Sequence, residues 1–176
     1  MKQLLSQLKT FDGKHAEPLE RLAADTPATK ANIQKLLALA EHEQESIRVG
    51  ATWVLKRWAD DGQEYEPAVV AMLIERLRDE DTWAAKLHLL QMLVECDLPK
   101  ASCRSLATRA KNLAASENKF LRAWATSVAV QVAEQHAAYR PTACKLVEKA
   151  RSDSAASVKA RVRQLEKKHA WLRESA

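Results

Sequence analysis

Glycine is nearly absent: three residues, Gly13, Gly50 and Gly62, are scattered through 176. A backbone nest for a phosphate, or a dinucleotide loop, needs several glycines within a few residues, so P-loop and Rossmann chemistry are excluded. Cysteine is equally sparse. Cys96, Cys103 and Cys144 are odd in number and lack metal-ligand spacing, which points to reduced thiols in a reducing compartment, each a small core residue. The five histidines (His15, His42, His88, His136, His169) are dispersed, and His42-Glu43 lacks the second histidine that a zinc helix of the HExxH kind requires. No metal and no cofactor is expected. No nucleophile, base and orienting group can be assembled either, so no catalytic residue is assigned and the sequence leans to a non-enzymatic role. Long apolar runs are missing as well. The opening MKQLLSQLKTFDGK is too polar for a signal peptide, and no segment approaches a membrane span. A soluble, cytoplasmic protein without membrane contact is the expectation.

A chain of this length buries roughly 70% of the surface its unfolded form exposes, so one compact domain over residues 1–176 is expected. The net charge of +5 is unevenly placed. Residues 1–88 hold 12 Lys/Arg against 15 Asp/Glu, a balance of −3, and residues 89–176 hold 16 against 8, a balance of +8. The basic half could attract an anionic partner, nucleic acid included, or could simply be a solvated polar surface.

What is present is a repeat. An acidic or small polar residue stands five positions before a basic one at Glu43/Arg48, Asp81/Lys86, Glu117/Arg122 and Ser154/Lys159, and successive basic positions are 38, 36 and 37 residues apart. A period of this size with helical apolar patterning is the mark of stacked helix pairs. With the basic residue as zero, position −1 holds Ile47, Ala85, Leu121 and Val158. Position +3 holds Ala51, Leu89, Ala125 and Val162, and position +6 holds Val54, Met92, Val128 and Leu165. At about 100° per residue these fall within one arc, the core face of each second helix. The first helices are expected to open at Pro27, Pro67, Pro99 and Pro141, because proline suits a first helical turn. Residues 1–25 read as an N-terminal cap, followed by repeats over 26–62, 63–97, 98–138 and 139–176. Gly50 lies mid-helix, at a cost of about 1 kcal/mol relative to alanine, and the expected reason is close approach of a neighbouring helix.

The strings ESIRVGA, EDTWAAKLH, NKFLRAWA and AASVKARV resemble HEAT repeats, in which an acidic residue before the second helix and a basic residue in its first turn recur. The likeness covers residues 27 to about 170. It implies an all-α fold: a right-handed α-α superhelix, a HEAT-like (ARM-like) solenoid, of about four helix pairs with N-terminal capping helices. A second, local likeness joins IRVGATWVLKRWA to a helix of the HEAT-like alkylpurine DNA glycosylases, whose concave aromatic holds damaged DNA. Trp53 would inherit that role. Those enzymes also place a Trp-Asp cluster at the lesion, and Trp58-Ala59-Asp60 departs from that pattern because Trp58 belongs to the core arc.

The candidate residues fall into two sets. Glu43, Arg48, Asp81, Lys86, Glu117, Arg122 and Lys159 form a ladder expected to fix register along the stack. Trp53, Arg57, His88, Gln91, Trp124, Arg161 and Lys168 lie on the outward stripe at positions +2, +5 and +9, which lines the concave face in this architecture. Trp53 stands where the other repeats carry Gln91, Ser127 and Gln164, and reads either as a groove anchor or as a filler of the seam between helices. The reading preferred is a non-enzymatic module that binds a protein partner through its concave face; the alternative is a DNA-backbone binder related to the glycosylases.

Overall fold

A computed structural model describes residues 2–174. It is all-α, with eleven α-helices, one 3-10 turn and no strand among the described residues. None of these helices is long and apolar enough to cross a membrane. The chain divides into two compact units, Met1–Met92 and Leu93–Ala176, so the division falls one residue before the end of the second helix of the repeat expected over 63–97.

The first unit carries α1 (Lys2–Leu8), α2 (Glu17–Asp25), α3 (Lys30–Leu39), α4 (Glu45–Asp60), α5 (Pro67–Asp79) and α6 (Trp83–Leu93). Helix α4 is its centre and packs against α1, α2 and α3. It is stopped by a Schellman turn: Gly62 adopts a positive φ of 94°, its N–H donates to Ala59 O, and the Gln63 N–H donates back to Trp58 O. The Trp58 ring is 4% exposed and its Nε1 donates to Ala23 O at 3.1 Å, which ties α4 to the end of α2. Pro67 and Pro18 sit in first helical turns. Pro27 does not. Helix α3 begins three residues later because Thr29 is the better cap: its side chain accepts from the Asn32 N–H, while Pro27 O accepts from the Thr29 N–H and from Asn32 Nδ2.

The second unit carries α7 (Lys100–Leu113), α8 (Lys119–Gln135), a 3-10 turn (Ala137–Tyr139), α9 (Arg140–Arg151), α10 (Ala156–Lys168) and α11 (Trp171–Glu174). Helix α8 packs against α7, α9 and α10 and is buried over nearly its whole circumference, as its run of Ala and Val requires. The two hydroxyls inside it, Thr126 and Ser127, donate to the carbonyls of Arg122 and Ala123 four residues back. Pro99 stands at the N-cap of α7 and Pro141 is the second residue of α9. In both units the residues at positions −1, +3 and +6 are buried, all twelve of them.

Gly50 touches the N-terminal helices. A Cβ added there would stand 2.9 Å from Leu8 Cδ2 and 3.2 Å from Leu19 Cδ2, two side chains that are themselves fully buried and cannot swing into solvent. Alanine at this site would gain about 1 kcal/mol of helix propensity and lose about 1–3 kcal/mol to overpacking. Gly50→Ala is therefore expected to lower unfolding free energy by about 1 kcal/mol in a urea titration, the difference between those two terms. A variant more stable than wild type would mean that α1 and α2 yield at no cost.

Candidate functional site

In three repeats the basic residue bonds the backbone of its own turn, and in two of them it also reaches an acid of the next repeat. Arg48 Nη1 donates to the carbonyls of His42 (3.1 Å) and Glu43 (2.9 Å), six and five residues back. Arg122 Nη1 does the same to Ser116 (3.0 Å) and Glu117 (2.9 Å), and Lys86 Nζ donates to Asp81 O at 3.2 Å. What the fifth position back supplies is thus a backbone oxygen at the turn into the helix, and the Glu43 and Glu117 side chains are exposed. The carboxylate comes from the next repeat. Arg48 reaches Asp81 Oδ1 at 2.7 Å and Glu80 Oε1 at 3.3 Å. Arg122 grips Asp153 through two parallel bonds of 2.7 and 2.8 Å.

Two of these carboxylates were not among the expected residues. Glu80 is 0% exposed at its side chain whereas the neighbouring Asp81 is 82% exposed, so Glu80 is the buried member. Its Oε1 also accepts from the Asp81 and Thr82 N–H groups, and Arg76 Nη2 meets its Oε2 at 3.1 Å. In the fourth repeat the acid is Asp153, where the period points to Ser154; Ser154 is exposed. Asp153 caps the Ala155 N–H at 2.8 Å, the turn that leads into α10. The local signal for both is a carboxylate two residues ahead of the N–H it caps, an Asx-type turn. The bonds from Arg122 hold the Asp153 carboxyl at about 2 against the opposing pull of burial, with the charge of Lys159 adding to them.

On the outward stripe of the first unit, Trp53 is half-buried on α4, and Arg57 is exposed and paired with Asp61 at 3.1 Å. His88 and Gln91 are half-buried on α6. His88 Nδ1 lies 3.1 Å from the Thr52 hydroxyl, and burial, helped by the nearby Lys56 charge, depresses its pKa to about 4, so the ring is neutral at pH 7. This stripe offers no free fixed cation.

The second unit differs. Arg161 lays its guanidinium 3.8 Å from the centroid of Trp124. Its Nε donates to Ser127 Oγ at 2.7 Å and its Nη1 to Gln164 Oε1 at 3.3 Å. Ser127 is itself buried, which corrects its placement among groove-facing polar side chains: its oxygen is the internal strut that orients Arg161. Lys168 approaches Glu95 at 3.9 Å, and the amides of Gln131 and Gln135 both donate to Cys96 O, fixing the loop before α7. Burial, with Asp97 and Glu95 nearby, pushes the Cys96 thiol up to about 11, so it is no nucleophile at neutral pH. Among the described residues no three His, Cys, Asp or Glu side chains are grouped to hold a metal ion. No protein-family model matches the chain, and no curated protein matches it.

Two outcomes are expected from this geometry. Asp153→Ala strips the half-buried Arg122 of its partner and uncaps α10, so it should cost about 2–3 kcal/mol of unfolding free energy. Glu117→Ala, which leaves the carbonyl in place, should change stability by less than about 0.5 kcal/mol. Chemical denaturation of the two variants compares them directly. For His88, the unfolded ring binds a proton near 6.5 and the folded ring only near 4. The unfolded state therefore holds more protons between those values, and the contribution is complete above about 6.5 and lost as pH falls. From pH 7 to pH 5 this removes about 2 kcal/mol. His88→Gln should flatten that part of a stability–pH profile, and an unchanged slope would refute the assignment.

Proposed function

We propose that this chain is a non-enzymatic interaction module, a HEAT-like superhelix of helix pairs whose second helices hold a protein segment on their outward stripe. The bases Arg48 and Arg122, each of which closes its own turn and reaches the next repeat's carboxylate, support the solenoid reading. So does the identical burial of the three core positions in all four second helices.

The observation that carries the binding proposal is the Trp124–Arg161 pair of the second unit. Three constraints, a ring face, a buried hydroxyl and an amide, fix the plane of one guanidinium. No carboxylate of the described residues lies within ion-pair distance of it, and desolvation lowers its affinity for its own proton against the opposing charge of Glu95, which Lys168 approaches at 3.9 Å. A fixed, partly desolvated guanidinium is a ready receptor for a carboxylate, because its orientation has been set before the partner arrives. The partner it fits is an acidic, extended protein segment, in keeping with the +8 balance of this part of the chain. The glycosylase reading draws nothing comparable from α4. Trp58 is buried with its Nε1 bonded to Ala23 O, and Asp60 is paired with Lys56.

The test is anisotropy of a fluorescein-labelled octaglutamate peptide, with a neutral Gly-Ser peptide as control. Arg161→Met keeps the aliphatic stem on Trp124 but removes the fork, and should weaken octaglutamate about 5- to 30-fold, the worth of roughly 1–2 kcal/mol for a charge-assisted contact. Arg173→Ala, an exposed cation on α11, should leave binding nearly unchanged. Equal effects of the two substitutions would reduce the interaction to general charge attraction and remove the site.

A further inference from the structure

Helix α7, KASCRSLATRAKNL, carries four cations and no acid. Its core side is Cys103, Leu106 and Ala110. Opposite to it runs an exposed stripe of small side chains, Ala101, Ser105, Thr108 and Asn112, which floors a shallow groove with Arg104 and Arg109 as its walls. At about 100° and 1.5 Å per residue, Lys100, Arg104 and Lys111 line up on one flank of the stripe over roughly 16 Å, and Arg109 stands on the other, about 140° around the axis from Arg104. None of the four has an ion-pair partner among the described residues. Of the acids in this unit, Glu95, Glu134, Glu148, Asp153 and Glu166 are engaged by Lys168, His169, Arg151 and Arg122, none of them a residue of α7, and Asp97 and Glu117 lie in the loops before and after it.

We infer that this face of α7 is a docking surface for duplex DNA, separate from the Trp124–Arg161 site and independent of it. The exposed arc offers cations, hydroxyls and an amide, the groups that contact phosphates, and no negative charge to repel them. Cations on both flanks match two phosphate rims. A helix is about 10–12 Å across and the B-form major groove about 12 Å wide, so α7 can approach the groove with its small Ala, Ser, Thr and Asn side chains towards the bases while the longer flanking side chains reach the backbone on either side. A single strand is disfavoured because the face carries no aromatic ring on which bases could stack. Duplex RNA is disfavoured because its major groove is too narrow to admit the helix.

The experiment is a salt titration of the full chain with a fluorescein-labelled 16-base-pair DNA duplex, repeated with a duplex RNA of the same sequence, and with octaglutamate as competitor. About four phosphate contacts give a log–log salt slope near −3.6. Arg104→Gln with Arg109→Gln should lower affinity at least about tenfold in 0.1 M salt and reduce the slope by roughly two, with circular dichroism unchanged, since Arg104 is exposed, Arg109 is half-buried without an ion-pair partner among the described residues, and Gln is a good helix former. Arg161→Met should leave DNA binding as it is. A double variant that binds DNA like wild type, or Arg161→Met weakening DNA as much as the double variant does, overturns the inference. Duplex RNA bound as tightly as DNA overturns the groove-seated geometry and with it the assignment. Octaglutamate binding that depends on Arg104 and Arg109 would make α7 a surface for acidic protein instead. Failure of the octaglutamate test at Arg161 leaves this result untouched, because the two readouts rest on different residues.

Discussion

The structure depends on one arrangement, a guanidinium asked to do two things at once. Ahead of α4 and α8 the chain turns over a tight loop whose last carbonyls lie outside the helical ladders, and a carbonyl left unpaired away from water costs about 1–3 kcal/mol. Arg48 and Arg122 satisfy two such carbonyls with one nitrogen and still have Nε and Nη2 to offer the next repeat. Arginine suits this because its donors form a rigid fork, so binding the turn aims the remaining two at the neighbouring carboxylate. Lys86, a single ammonium, reaches one carbonyl of its turn. The acids complete the circuit in the same manner. Glu80 and Asp153 accept from the arginine and from backbone N–H groups ahead of the next helix, so one carboxylate serves as both partner and cap.

This double duty explains how the sequence could be half legible. The period and the basic residues are visible because side-chain identity is required at them. The residue five positions earlier is needed for its carbonyl, which every amino acid has, and its acidity in three repeats is no guide to the bond it makes. The true acids can slide by one position, Glu80 beside Asp81 and Asp153 beside Ser154, because a capping turn tolerates small changes in loop geometry that a helix face does not. Helical positions show the converse. All twelve arc residues are buried and Trp58 faces inward, since 3.6-residue geometry leaves no freedom to slip. Gly50 could be read as a close approach, though not which side chains approach it: Leu8 and Leu19 come from the N-terminal helices, whose packing on α4 no periodicity announces.

On the candidate site, the outward stripe was legible as a set of positions and not as a distribution of roles. Ser127 shows why. Polar at a position shared with Trp53, Gln91 and Gln164, it reads as exposed, yet it is buried with both its hydrogen-bonding capacities used, one toward Ala123 O and one toward Arg161 Nε. A small hydroxyl can satisfy itself on its own helix and so costs little to bury. Its burial is what turns Arg161 from a mobile surface cation into an oriented one.

Charge is handled differently in the two units, and the boundary between them is also an electrostatic one. Residues 89–92 are uncharged, so the balances of −3 and +8 belong to the first and second unit as they stand. In the first, Arg48, Arg57, Arg76, Arg78, Lys30 and Lys56, six of its twelve Lys/Arg, meet carboxylates, and the half-buried His88 is held neutral. In the second, the five carboxylates in ion pairs are taken by Arg122, Arg151, Lys168 and His169. That leaves most of its sixteen Lys/Arg outside any ion pair among the described residues, Arg161 and the four cations of α7 among them. Such an excess opposes compaction of the unit by self-repulsion and favours whatever anion approaches it. In the second, one of the cations outside the ion pairs is fixed on a tryptophan, Arg161 on Trp124, and four others range along α7, so the excess is held in part by a rigid contact and in part by side chains on an exposed helix.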